Sequence, residues 1–135
     1  MTTHAQALPA VGSPLRLVLR ANAAVCLLSS AALLVDAGPI AALAGGFSPP
    51  ALMVIGALLL VAAALCWRAS AGDALGRRLA WAVAIADIDW VIASAVILLT
   101  GWLPLTGAGW WLVLAQALVV DLFAAAQLWL LWKSR

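Results

Sequence analysis

Four long apolar stretches, separated by short runs rich in glycine, proline and small polar residues, make up most of the chain. A hydrocarbon layer about 30 Å thick takes about 20 residues of helix to cross. The stretches at residues 15–35, 50–67, 77–100 and 110–132 are close to that length, and the connections between them are too short to hold a further domain. The pattern predicts an all-α fold: a polytopic membrane four-helix bundle forming a single transmembrane domain over residues 1–135.

Local chemistry sets the helix limits. Ser13-Pro14 predicts an N-cap followed by proline at the first helical position, where a missing N–H costs nothing. Ser48-Pro49-Pro50 repeats that signal ahead of the second helix. Asp36-Ala-Gly-Pro39 predicts the stop of the first helix, and residues 40–47, with Gly45-Gly46, predict a loop. A short turn around Gly72-Asp73 joins the second and third helices, and residues 101–109, with Pro104 and Gly107, form the last connection.

Charge orients this frame. All 7 Lys and Arg residues fall at helix ends that share one side. Arg16 and Arg20 open the first helix, Arg68, Arg77 and Arg78 flank the middle connection, and Lys133 and Arg135 follow the last helix. By the positive-inside pattern both termini are expected in the cytoplasm, with two hairpins facing outward. The expected location is a bacterial cytoplasmic (inner) membrane. Residues 1–13 have no basic start and no short apolar core, so no removable signal peptide is expected there.

Composition agrees, with 67% hydrophobic and 9% charged residues, where soluble domains have roughly 45–50% apolar residues. The net charge of +2 is spread along a membrane boundary, which excludes a nucleic-acid face and points to anionic lipid headgroups. Seven tryptophans are predicted at span ends, where the indole N–H reaches headgroups; Trp90 alone lies deep in a span.

The polar residues within the spans are the candidate chemistry. Asp89 and Asp121 each lie about 16 Å along the helix from a predicted boundary, near the middle of the hydrocarbon, and Asp87 lies slightly nearer the basic side. A charge there costs about 2.5–3.5 kcal/mol on insertion scales. All three acids are therefore expected to face protein or water, with at least one in its neutral form. Helical spacing puts Asp87 on one face with Trp90 and Ser94, and puts Asp89 with Ala82, Ala86 and Ala93. Asp121 is flanked by Ala117, Ala124 and Ala125, and Asn22 opens a line with Cys26 and Ser29. The candidate intramembrane polar site is thus Asp87, Asp89, Asp121, Asn22, Trp90 and Ser94. Gln116 and Gln127 are assigned to a separate face with a structural role. Gly56 and the Ala62–Ala64 run are expected close-packing positions.

Several chemistries are excluded. The single histidine, His4, precedes the first helix, leaving no ligand set for haem or another metal. Cys26 and Cys66 differ in depth and form no redox pair, and no catalytic motif is present. No catalytic residue, cofactor or metal is expected.

Arg20-Ala-Asn-Ala23, the Asp87-x-x-Trp90-Val91-x-x-Ser94 segment and Ala124-x-x-Gln127 together resemble a group of small four-helix bacterial integral membrane proteins of no assigned function. The resemblance implies the fold and no activity. The functional expectation is a non-catalytic accessory or interaction subunit of a membrane complex that binds a lipid or other amphiphile. Its partners would be membrane lipids and another membrane protein or further copies of itself. The alternative is a small proton-linked carrier or channel, titrating at Asp89 and Asp121 with Asp87 and Asn22 in support.

Overall fold

The structure is a computed structural model describing residues 12–135. The expectations for the segment before them, including His4 and the lack of a signal peptide, lie outside the described residues. The described chain forms five helices: α1 (Ser13–Val35), α2 (Ala37–Ala44), α3 (Pro49–Ala69), α4 (Ala74–Thr100) and α5 (Gly107–Lys133). All but α2 are long and apolar enough to cross a membrane.

The predicted boundaries hold to within a few residues. Ser48 caps α3, its hydroxyl accepting from the Ala51 N–H at 3.3 Å. At α1 the cap differs: Ser13 is already helical, Gly12 holds the cap position, and no side chain bonds the first turn. Asp73 and Thr106 cap α4 and α5 by accepting from Gly76 and Gly109.

The segment expected to be a loop after Pro39 is part of the helix α2. Proline does not prevent this, because its position in the first turn requires no N–H donor. The helix ends where Gly45 and Gly46 take φ of 64° and 67°, a conformation that favours glycine.

Two antiparallel hairpins, α1 with α3 and α4 with α5, form the main contacts, and α3–α4 and α1–α5 contacts close the bundle. The basic residues gather at one end. There Arg77 donates to the Ser134 carbonyl at 3.2 Å, Arg20 stacks over Trp67 and Arg135 over Trp81.

The core is built of small side chains. At the basic end Leu15, Leu19, Ala23, Cys66, Ala69, Ala80, Val83, Ala84 and Leu131 pack together, and Ala37, Ala41 and Leu52 form a smaller cluster at the far end. Leu, Val and Ile side chains cover much of the outside. This distribution suits a lipid environment, where close approach of backbones rather than hydrophobic exclusion holds helices together. Gly56 is such a position: it is buried, and Ser30 of α1 donates to its carbonyl at 2.7 Å.

The far end is joined by backbone contacts. The Thr106 hydroxyl donates to the Leu43 and Ala44 carbonyls at 2.6 and 3.1 Å, and the Thr106 N–H donates to Ala44 at 2.9 Å. Gly45 and Leu105 form an antiparallel bridge alongside. Gly109 lies so close to the Ala44 carbonyl that a Cβ would overlap it, whereas a Cβ on Gly107 would meet open space.

At the opposite end Arg68 and Asp73 form a paired ion bridge at 2.8 and 3.1 Å. This bond, reinforced by the Gly76 N–H, lowers the Asp73 carboxyl from 3.8 to about 2. A depressed carboxylate contributes stability that is fully present above its unfolded value and is lost as pH falls through its folded value. The bridge therefore holds the α3–α4 turn at pH above 3.8 and releases it near 2.

Two predictions follow from these ends. Gly109→Ala should lower the melting temperature in mild detergent clearly more than Gly107→Ala, and Thr106→Val should destabilise by about 1–2 kcal/mol through loss of its cap. Equal melting temperatures for the two glycine variants would refute the close contact. In a carbon-detected NMR titration Asp73 should show a midpoint near 2, moving toward 3.8 in Arg68→Gln; an unmoved midpoint would show that the ion pair does not form in solution.

Candidate functional site

The polar centre of the bundle is assembled from three helices. Asp87 of α4 accepts a hydrogen bond from the Asn22 amide of α1 at 2.8 Å and another from the Gln127 amide of α5 at 3.0 Å, both on the same carboxyl oxygen. Asn22 and Gln127 are almost completely buried. The Cys26 thiol, one turn along α1, donates to the Asn22 carbonyl oxygen at 3.5 Å.

The backbone makes this arrangement available by register. Asn22 follows Arg16 by six residues, and Gln127 precedes Lys133 by six. Both therefore stand about 9 Å inside the basic end, where Asp87 meets them from α4, which runs parallel to α1 and antiparallel to α5. The amides supply donors that water would otherwise provide, which is the condition for carrying a carboxyl in an apolar interior.

Trp90 and Ser94 continue along the same face of α4, as the spacing predicts. The Ser94 hydroxyl donates to the Trp90 carbonyl at 2.9 Å. The Trp90 indole nitrogen is buried without a partner among the described residues, as is the second amide atom of Gln127, its oxygen. Trp90 and Ser94 border an apolar cavity in the far half of the bundle.

Asp89 and Asp121 do not join this centre. Both are exposed on the outer surface of the chain, so within a single copy only Asp87 of the three acids is enclosed by protein donors. The physical reason is helical phase: Asp89 is about 200° around α4 from Asp87. Its neighbours Ala82, Ala86 and Ala93 are exposed with it. Asp121 sits at the edge of the packed face of α5, where Ala117 and Ala124 are buried.

Gln127 is the member of the centre that the candidate set omitted. Its depth, matching that of Asn22 from the same basic boundary, was the available signal. Cys26 likewise belongs to the polar network and is more than a small core residue. Among the described residues no group of His, Cys, Asp and Glu could hold a metal ion. Cys26 and Cys66 are both buried as free thiols.

No protein-family model matches the chain, and no curated protein or solved structure is similar to it. The geometry of the site therefore carries the functional argument by itself. Chemically, the centre holds a carboxyl with two amides.

The centre predicts a graded response to substitution. Gln127→Leu should destabilise the bundle by about 1–3 kcal/mol, because a buried acceptor loses a donor. Asp87→Asn should cost less than Asp87→Leu, since a side-chain oxygen still faces both amides. Thermal unfolding in mild detergent measures the series, and equal costs for the two Asp87 variants would show that its hydrogen bonding is immaterial.

Proposed function

We propose that the protein is a non-catalytic interaction subunit of a bacterial cytoplasmic membrane, with both termini on the cytoplasmic side, and that it docks against another membrane helix through the outer face of α4. The observation that carries this reading is the exposure of Asp89 near the middle of α4, on a stripe formed with Ala82, Ala86 and Ala93. Against lipid, an acid at that depth costs about 2.5–3.5 kcal/mol when charged. Against a helix that offers a donor, the cost falls, and the three alanines allow that helix to approach closely. The exposed Asp121 on α5 makes a similar demand.

The orientation is supported by the grouping of the basic residues at one end of the bundle. A proton-linked carrier is the second reading, and the specific feature in its favour is Asp87, an acid inside the bundle. Engagement of that carboxyl by two amides favours a clamp over a relay.

Photo-cross-linking residues placed at Ala86 and Ala93 should yield protein adducts in native membranes, whereas one at Leu28, exposed on α1, should not. Asp89→Leu should reduce the adducts several-fold, and Asp89→Asn should retain them. Adducts from Leu28 alone, or none at α4, would overturn the docking face. Cysteines at Gly38 and Gly107, with Cys26 and Cys66 replaced by serine, should react with an impermeant reagent from outside cells, and one at Ala71 should not. Reconstituted vesicles with a pH gradient should show no solute-linked proton flux; flux abolished by Asp87→Asn would favour the carrier.

A further inference from the structure

The far half of the bundle is hollow. A partly open cavity of about 220 Å³ lies beyond the Asp87 centre, with walls drawn from all five helices and from Phe47. It exceeds the roughly 150 Å³ of an apolar cavity that accepts benzene, and falls short of the roughly 300 Å³ at which complete ligand pockets begin. A single ring, or the upper part of a chain, fits within it.

The chemistry of the walls narrows the occupant. Leu33, Ile55, Leu112 and similar side chains make the lining overwhelmingly aliphatic, and no charged residue contributes to it. The polar exceptions are Trp90, Ser94 and Gln116. Ser94 already donates to the Trp90 carbonyl. Gln116 borders the cavity about 14 Å along α5 from its first residue, and its side-chain amide makes no hydrogen bond to another described residue. Trp90, in the same wall, has a buried indole N–H with no partner among the described residues. A polar group without a partner in an apolar interior is costly, so the wall has donor capacity that the described residues leave unused.

We propose that this cavity binds a neutral amphiphile whose carbonyl head accepts a hydrogen bond from Gln116, with its apolar portion along the aliphatic walls and its tail extending out into the lipid. The absence of any charged lining residue selects against fatty-acid anions and quaternary ammonium heads. Two lipid-phase sources share the required chemistry, a tailed quinone and a glycerolipid ester. The cavity shares Ala93 with the outer face of α4, but its proposed donor, Gln116, is on α5, so Gln116→Leu tests the cavity without altering that face.

The test uses the full chain in mild detergent and follows its melting temperature, which a ligand specific for the folded state raises by mass action. The probes are a decyl-substituted 1,4-benzoquinone, dioctanoylglycerol, decane and decanoate. At least one of the two carbonyl probes should give a saturable rise, decane a smaller one, and decanoate none; whichever carbonyl probe binds more tightly identifies the source. Gln116→Leu should weaken the carbonyl probes by about fivefold to tenfold and leave decane unchanged. Val113→Phe, which narrows the cavity without removing the amide, should weaken all of them, with retained helical content showing that the variant is folded. The proposal is overturned if neither carbonyl probe binds saturably, if decane or decanoate binds as tightly as they do, or if Gln116→Leu leaves their affinities unchanged.

Discussion

A carboxyl group within an apolar bundle must find hydrogen-bond donors, and Asp87 draws its donors from both hairpins. Asn22 belongs to the α1–α3 pair and Gln127 to the α4–α5 pair, so one carboxyl oxygen fixes the depth at which the two pairs meet. Apolar side chains packed among lipids of similar polarity have little preference for one register over another. The amide–carboxyl geometry supplies that preference, and the small residues around it allow the helices to come near enough for it to form.

The two ends of the bundle are closed by different means. At the basic end, tight packing of Leu19, Cys66, Ala80 and Leu131 adjoins the Arg68–Asp73 pair. At the far end, Thr106 and Gly109 bring α5 against the last turn of α2 through backbone atoms. Between these closures the helices are less completely packed, and the cavity beside Trp90 and Gln116 occupies that interval. A bundle secured at both ends can hold a hollow in one half without losing its register.

Much of this architecture was legible in the sequence because the constraints that produce it are local or one-dimensional. Span length, proline-capped starts and the distribution of Lys and Arg each depend on positions along a single helix. The capping role of Ser48, the close approach at Gly56 and the shared face of Asp87, Trp90 and Ser94 followed from such rules. The short helix α2 did not, because Pro39 and two glycines also describe a loop, and only packing of Ala37 and Ala41 against Leu52 distinguishes the two. Gln127 escaped for a related reason: its partner is set by antiparallel register between helices, which periodicity along one helix does not contain. For Asp89, helical phase separates it from Asp87, but phase along one helix does not say which face packs against the rest of the chain, and the structure leaves the Asp89 face outermost.

The division of Asp87's donors also bears on how the protein is made. Chains are synthesised from the N-terminus, and their helices become available in that order. When α4 is complete, Asn22 already exists but Gln127 does not, so the nascent protein carries an acid that is only half accommodated until the final helix arrives. Folding into the finished bundle is in this sense conditional on translation reaching α5. A product that stops short of α5 leaves that carboxyl with only one of its two amide donors.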